Sequence, residues 1–195
     1  MNAVPERRTA RLLLRGFRGD DLGPLAVLNA DPAVMEHLPG PMTLEDSAAQ
    51  LARFRQHWEE HGFGWWAVEV PGVAPFIGWV GLARPRFEAH FTPCVEIGWR
   101  LAAAHWNQGY ATEGAREALR FGWELGSPRL EEIVAFTVPG NARSRRVMEK
   151  LGMRHDPADA FEHPRLPPGH PLRPHVLYRI RREAGVKPVD RPRSR

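Results

Sequence analysis

The most constraining feature of this sequence is the turn at residues 106–113, which reads Trp-Asn-Gln-Gly-Tyr-Ala-Thr-Glu. Residues 95–101 before it alternate apolar and polar side chains, as a half-buried strand does. Residues 109–125 after it place small residues at helical spacing and predict a helix that lies close to a sheet. Such a turn leaves backbone N–H groups unpaired at the positive end of the helix dipole. It therefore predicts an anion site suited to a phosphate group.

Two common phosphate-binding motifs do not fit this turn. A Walker A loop ends in Gly-Lys-Ser/Thr, and residues 106–113 contain no lysine. A Rossmann turn needs three spaced glycines and an acidic residue at the end of the next strand. Here Gly109 is alone in the turn, and Glu131 and Glu132 precede the next strand. A different phosphate-binding turn and a plain strand–helix connection both stay open at this point.

The composition restricts the class of protein. The chain has 195 residues, of which 43% are hydrophobic and 26% charged, and this favours one globular domain. No apolar run approaches the roughly 18–20 residues of a membrane span, and the first residues lack the apolar stretch of a signal peptide. The single cysteine, Cys94, excludes an internal disulfide. We therefore expect a cytoplasmic protein with no membrane partner.

The net charge of +4 is accompanied by an arginine-rich end. Residues 184–195 combine arginine and proline without aromatic residues, so we predict a disordered basic tail after a single domain of residues 1–183. A basic tail also fits contact with nucleic acid. The sequence has no recognised nucleic-acid motif, however, and we do not expect this role. A homodimer stays open as the oligomeric state.

Periodicity and turn residues predict a mixed α/β protein whose first half is largely antiparallel. Thr43 and Asp46 form a capping-box pattern at the start of a long helix, which Gly62 ends. Residues 157–174 are rich in proline and histidine and predict a long loop. The predicted strands cover residues 11–17, 65–70, 76–83, 94–101, 132–138 and 175–180, and the predicted helices cover residues 20–30, 43–61, 109–125 and 141–151.

Two motifs together indicate a family. The first is Val-Glu-Ile-Gly-Trp-Arg-Leu at residues 95–101 with the turn at residues 106–113. The second is Val-Pro-Gly-Asn-Ala-Arg-Ser-Arg-Arg-Val-Met-Glu-Lys-Leu-Gly-Met at residues 138–153. At this spacing they closely resemble the GNAT N-acetyltransferases, specifically the RimJ/RimL-type branch, and the resemblance covers most of the chain. The wider superfamily has Gln or Arg where this chain has Trp106, whereas an aromatic residue is common in that branch.

This resemblance implies a GNAT fold, with a central twisted mixed β-sheet of about seven strands flanked by about four helices. The fourth and fifth strands would splay apart around acetyl-CoA, the acetyl donor. The pantetheine arm would bond to the backbone of Trp99 and Leu101, and Asn141 and Ser144 would face the arm near its sulfur. Lys150, or a nearby arginine, would meet the 3′-phosphate. The pyrophosphate would lie on the backbone N–H groups of Gln108, Gly109, Tyr110, Ala111 and Thr112.

Several of these residues also have a purely structural interpretation. Asn141 lies where a helix N-cap is expected, Ser144 fits an inert position on a solvated helix face, and Trp99 fits a core position. Three histidines invite a metal-site interpretation, but their proline-rich spacing and the lack of an acidic partner cluster lead us to expect no metal. These histidines are His163, His170 and His175.

Acetyl transfer to an amine needs a group that removes a proton, because the amine usually arrives as ammonium. Glu96 is the leading candidate for this base, since it lies on the splayed strand and members of the family often place a carboxylate there. The alternative is a surface carboxylate paired with Arg100 on the same strand face. Ser144 is the candidate acid that protonates the departing thiolate, and Asn141 completes the predicted catalytic set. Glu113 fits a structural acid at the helix N-terminus better than a base.

The predicted activity is acetyl-CoA-dependent transfer of an acetyl group to a primary amine, either a protein N-terminus or a small molecule. A catalytically silent CoA-binding or regulatory module is the alternative. The sequence does not identify the acceptor. Glu59 and Glu60 fit either contact with a cationic acceptor or an exposed helix end.

Overall fold

The structure is a computed structural model that describes residues 3–126 and 129–182. The predicted basic tail of residues 184–195 lies outside the described residues. The described chain forms one sheet with helices on both faces. The strands are β1 (Arg7–Arg8), β2 (Leu13–Arg15), β3 (Trp65–Val70), β4 (Ala74–Ala83), β5 (Glu96–Leu101), β6 (Glu132–Thr137), β7 (Arg154–His155), β8 (Phe161–Glu162) and β9 (Pro174–Arg181). The α-helices are α1 (Leu22–Ala30), α2 (Pro32–Met35), α3 (Leu44–His61), α4 (Tyr110–Glu124) and α5 (Ala142–Lys150).

The sheet runs in the order β1-β2-β3-β4-β5-β6-β9-β7, and β8 pairs with β9. Every pair is antiparallel except β5 with β6, which lie parallel. These two strands share one residue pair, Glu96 with Val134. The predicted mixed α/β fold is confirmed, and a gap opens where β5 and β6 separate.

The structure adds short elements to those predicted from the sequence. The described residues contain nine strands and five α-helices. Three of the strands, β1, β7 and β8, have two residues each and are too short to show an alternating pattern. The loop predicted at residues 157–174 includes β8, and the strand predicted at residues 11–17 shortens to Leu13–Arg15. Helix α2 was missed because Asp31-Pro32 ends α1, yet Asp31 also accepts a hydrogen bond from Ala33 N–H and so caps α2.

Helix α3 begins and ends as the sequence predicts. The Thr43 hydroxyl accepts a hydrogen bond from Asp46 N–H, and the Asp46 carboxylate accepts one from Thr43 N–H, which completes the capping box. The helix ends at Gly62, whose φ of 70° lies in the left-handed region that favours glycine. On the side of α3 that faces the sheet, Phe54 packs against Trp65 and Trp79 in an aromatic cluster.

Helix α4 lies close against the other face of the sheet because the residues that face the sheet are small. Ala115 and Ala118 are fully buried, and a Cβ at Gly122 would lie 2.8 Å from Leu82 Cδ1 and 3.1 Å from Ile133 Cδ1. A larger residue at this position would push the helix away from β4 and β6. The close packing fixes the N-terminus of α4 beside the end of β5.

Candidate active site

A cleft of about 670 Å³ opens between β5, β6, α4 and α5, with α2 at one side. We call it the main cleft. It is lined by most of the residues that the sequence singled out. These are Glu96, Trp99, Leu101, Gly109, Tyr110, Ala111, Thr112, Asn141, Ser144 and Lys150.

Gln108 is the predicted residue that does not line the main cleft. Its side-chain amide donates to Ala104 O at 3.1 Å. Its backbone carbonyl accepts a hydrogen bond from the Arg11 guanidinium at 2.9 Å. Both hydrogen bonds therefore stabilise the turn, and the Gln108 side chain does not line the main cleft.

The backbone of Trp99 and Leu101 faces the gap between β5 and β6. Successive residues of a strand direct their hydrogen-bonding groups to opposite neighbours. Ala102 N–H donates to Ile77 O, so Ala102 and the even-numbered residues of β5 bond to β4. Val95 O accepts from Val134 N–H, so the odd-numbered residues face β6. Because the strands separate beyond Glu96, the Trp99 backbone groups and the Leu101 N–H are open to the cleft.

The turn before α4 has the backbone geometry of an anion site. Asn107 and Gly109 both have positive φ, at 59° and 84°. The first intrahelical hydrogen bond of α4 runs from Glu113 N–H to Gly109 O at 3.0 Å. No side chain caps this helix. The N–H groups of residues 110–112 are therefore left outside the helical ladder, at the positive end of the dipole.

A distant arginine also lies at this turn, and sequence reasoning missed it. The Arg11 guanidinium lies 4.7 Å from the centre of the Tyr110 ring and donates to Glu113 Oε2 at 2.7 Å as well as to Gln108 O. Arg11 is separated from the turn by about a hundred positions, so only the pairing of β2 in the sheet brings the two together. No signal in the residues around Gly109 points to it.

Glu113 is a structural acid, as the sequence favoured. Its carboxylate accepts hydrogen bonds from the Thr9 hydroxyl at 2.6 Å and from Arg11 N–H at 2.9 Å, besides its ion pair with the Arg11 side chain. These hydrogen bonds hold the pKa of Glu113 below its usual value, against the opposing effect of burial. The residue ties the N-terminal segment to α4.

Trp106 has two contacts that fix the wall of the cleft. Its indole N–H donates to Leu101 O at 2.7 Å, and the Arg143 guanidinium lies 4.4 Å from its ring centre. Arg143 also forms an ion pair with Glu36 at 2.6 Å. The aromatic residue therefore joins the end of β5 to α5, and neither contact was predicted.

Glu96 lies at the point where β5 and β6 part. Its carboxylate forms no hydrogen bond or ion pair within residues 3–126 and 129–182. Burial raises the pKa of Glu96 to about 7, and the charge of Arg165 opposes the rise. The alternative pairing with Arg100 is not found, because Arg100 instead donates to Asn29 Oδ1 at 2.6 Å. A carboxyl group that titrates near neutrality is suited to take up a proton.

Asn141 caps helix α5. Its Oδ1 accepts from Ser144 N–H at 3.1 Å, and its Nδ2 donates to Thr137 Oγ1 at 3.0 Å. The structural interpretation therefore accounts for both ends of this side chain. The Ser144 hydroxyl lines the main cleft and makes no hydrogen bond in the described part of the chain.

The described residues contain neither a metal-binding cluster nor a membrane-spanning helix. No group of three His, Cys, Asp or Glu side chains within them is placed to hold a metal ion. His163 and His175 lie together with ring centres 5.0 Å apart, and burial lowers the pKa of His163 to about 4. Among the same residues, no helix has the length and apolar character needed to cross a bilayer.

A protein-family model matches most of the chain. The model of the "Acetyltransferase (GNAT) domain" matches residues 11–154, from Arg11 beside the turn to the end of the second motif. The matched part contains the whole of the main cleft.

Individual proteins are similar over most of the chain. Uncharacterized protein YkkB of Bacillus subtilis (strain 168) is 30% identical over 156 residues, which cover 80% of this chain and 88% of that protein. FsC-acetyl coenzyme A-N(2)-transacetylase of Aspergillus fumigatus is 34% identical over 177 residues, which cover 87% of this chain and 73% of that protein. The crystal structure of a GNAT-family acetyltransferase from Bacillus anthracis has a TM-score of 0.72 and 27% identity, and the match covers 91% of this chain and 98% of that one.

Proposed function

The chain belongs to the GNAT acetyltransferase family, and from this premise we propose that it transfers an acetyl group from acetyl-CoA to the nitrogen of a primary amine. The observation that carries the proposal is the gap between β5 and β6, where open backbone groups lie beside a turn with unpaired N–H groups. One relative supports transfer to nitrogen, since its name specifies acetyl coenzyme A and an N(2) position.

The charge of the main cleft supports an anionic donor. Among the described residues that line it, the basic side chains are Arg100, Arg143, Arg146 and Lys150, and the carboxylate is Glu96. Acetyl-CoA carries its negative charge on a pyrophosphate and a 3′-phosphate, so this balance favours its binding. The volume of about 670 Å³ is also in the range of small-molecule sites.

Each part of the donor has a matching group in the proposed complex. The pantetheine arm bonds to the open backbone of Trp99 and Leu101 in the way an added strand would. The pyrophosphate lies on the N–H groups of residues 110–112, with the Arg11 guanidinium nearby. The 3′-phosphate meets Lys150.

Glu96 acts as the general base in this proposal. Its carboxyl group has a pKa of about 7 and no competing partner, so near neutral pH it takes a proton from the incoming ammonium. The neutral amine then attacks the thioester carbon. The Trp99 N–H, which is open to the gap, donates to the oxyanion that develops there.

Ser144 supplies the proton for the departing thiolate in this proposal. Its hydroxyl lines the main cleft and has no partner in the described residues that would hold it elsewhere. Asn141 is better described as a positioning residue, because it accepts from Ser144 N–H and so fixes the start of α5.

We also propose the RimJ/RimL-type branch, a cytoplasmic location and an acceptor that is either a protein N-terminus or a small amine. The branch assignment rests on Trp106, whose contacts with Leu101 and Arg143 give the aromatic residue a structural role at the cleft.

The experiment that tests the activity combines donor binding with turnover. The affinity for acetyl-CoA is measured by calorimetry, and thiol release is followed across a panel of small amines and N-terminal peptides, with mass spectrometry of the products. We expect thiol release together with a mass gain of one acetyl group on an amine. Donor binding without turnover on any amine would instead support the silent CoA-binding module.

A further inference from the structure

A second, smaller pocket lies on the other side of Glu96. Its volume is about 240 Å³, and it shares Glu96, Trp65 and Phe136 with the main cleft. We call it the arginine pocket, because its basic lining residues are Arg53, Arg84, Arg86 and Arg165. A molecule in this pocket reaches the same carboxylate that faces the thioester in the proposed complex.

The arginines of this pocket come from three separate segments of the chain. Arg53 belongs to α3, Arg84 and Arg86 follow β4, and Arg165 belongs to the loop before β9. Arg165 is fixed by a hydrogen bond of 2.6 Å to Arg86 O, and its charge acts on Glu96. The segments therefore bring positive charge to one place from different directions.

These positive charges are poorly neutralised. In the described part of the chain, Arg53, Arg84 and Arg165 form no ion pair, although Arg53 acts at longer range on Asp46. Arg86 reaches Glu60 at 4.0 Å, and the buried Arg84 Nε has no hydrogen-bond partner in the described residues. Arg179, by contrast, is paired with both Glu132 and Asp159. An unpaired guanidinium in a pocket favours an anionic ligand.

The two histidines of the pocket add no positive charge at neutral pH. His57 accepts a hydrogen bond from Arg84 N–H at its Nε2 and contacts Phe63 O with its Nδ1, which fits a neutral ring that donates from Nδ1. Burial also lowers the pKa of His57 and of His163. A lowered pKa makes both rings weaker bases, which favours Glu96 for this role.

The acidic pair considered from the sequence does not form an acceptor site. Glu60 lies beside Arg86 and His61 and accepts a hydrogen bond from Gln56. Glu59 is exposed and lines neither pocket. A cationic acceptor therefore finds no carboxylate near Glu96 among the described lining residues.

We propose that the arginine pocket binds the acceptor, and that the acceptor is a small amine that also carries a carboxylate or phosphate group. This inference rests on the proposed acetyl transfer. The anionic group lies against the arginines, and the amine points through the shared opening to Glu96. The C–N bond forms as the C–S bond breaks. The nitrogen gives up two protons: one goes from the ammonium to Glu96 before attack, and the second, released after attack, replaces the proton that Ser144 donates to the departing thiolate.

The test compares pairs of amines that differ in one anionic group. The pairs are L-alanine with L-alaninamide, L-glutamate with L-glutamine, and O-phosphoethanolamine with ethanolamine. In at least one pair we expect kcat/KM to be about tenfold or more higher for the anionic member. The identity of that pair distinguishes a carboxylate from a phosphate. Equal or better use of the neutral member in all three pairs would overturn the inference.

Variants assign the preference to the pocket. Arg165→Gln and Arg53→Gln should each raise the KM for the anionic amine of a pair. The KM for the neutral amine of the same pair should stay unchanged. Arg55→Gln is the matched control, because Arg55 is an exposed arginine of the same helix as Arg53 and lines neither pocket. An equal effect of all three variants on both members would contradict the assignment.

A binding measurement separates this inference from the proposed function. Calorimetry of each amine with the full chain in the presence of CoA reports acceptor binding without turnover. Preferential binding of anionic amines that Arg165→Gln abolishes supports the pocket even if no amine is acetylated, in which case only the proposed activity fails. Acetylation of amines without any anionic preference leaves the activity intact and overturns the pocket.

Discussion

The main cleft and the arginine pocket meet at Glu96, and they offer positive charge to a ligand in different ways. In our proposal for the main cleft, backbone N–H groups at a turn and at an open strand carry much of the donor recognition. In the arginine pocket, side chains from three separate segments do so. Backbone recognition suits a donor that never changes, whereas side chains at the ends of loops and on a helix surface can be exchanged without disturbing the sheet.

Among the tests of this difference, a substitution at Gly109 has the largest expected effect. Gly109→Val places a β-branched residue at a φ of 84°, and its Cβ would lie 3.3 Å from the Arg11 guanidinium. The turn must then rearrange, and we expect the affinity for acetyl-CoA to fall by about 100-fold or more. Gly23→Val is the control, because no atom lies within 4 Å of a Cβ at that exposed helical position. Unchanged calorimetric affinity in Gly109→Val would refute backbone recognition of the phosphates.

The second test concerns the boundary between the two sites. Wild-type turnover should rise with pH through about 7, because Glu96 is a base only when its carboxyl group is ionised. Glu96→Gln should lower turnover by about 100-fold and remove this pH dependence, with acetyl-CoA affinity kept. Glu59→Gln, at an exposed position outside both pockets, should behave as wild type. An unchanged pH–rate profile in Glu96→Gln would exclude the role of Glu96 as base.

The same variant should make the protein more stable. The folded pKa of Glu96 is about 7 against an ordinary 4.5, so the folded state holds its proton more tightly and stability falls as the pH rises between these values. Glu96→Gln removes this loss. Its free energy of unfolding in urea should match wild type near pH 4 and exceed it by about 3 kcal/mol at pH 8. If the difference in unfolding free energy between the variant and wild type is constant across this pH range, burial does not raise the pKa of Glu96.

The smallest effect is expected at Asn141, where capping and catalysis can be separated. Asn141→Asp keeps an oxygen for the Ser144 N–H and should keep turnover near wild type, whereas Asn141→Ala should cost about 1 kcal/mol of unfolding free energy. Thr43→Ala removes the cap of α3, away from both sites, and should cost about the same without changing KM. A large loss of turnover in Asn141→Asp would restore Asn141 to the catalytic residues.

The sequence was informative where local chemistry determines the structure. Thr43, Asp46 and Gly62 define the ends of α3 through their own hydrogen bonds and dihedral angles, so the pattern predicts the helix. The turn at Gly109 is predictable for the same reason, because glycine tolerates the positive φ that the turn requires.

Contacts between distant segments could not be predicted in this way. Arg11 reaches the turn only through the pairing of β2, and Arg165 meets Glu96 only after a loop folds back over the sheet. The identity of these residues as arginines is visible in the sequence, but their neighbours depend on the tertiary fold. The main cleft was therefore more predictable than the arginine pocket.

The hydrogen bonds that join Thr9 and Arg11 to Glu113 connect the edge of the sheet to the start of α4. The first two strands, β1 and β2, have only two and three residues. A donor bound at the turn stabilises the arrangement of Arg11 and Glu113 and with it this edge, because a ligand stabilises the state that it binds. Amide hydrogen exchange of residues 7–15 should therefore slow when acetyl-CoA is added, and an edge strand far from the thioester becomes a reporter of donor occupancy.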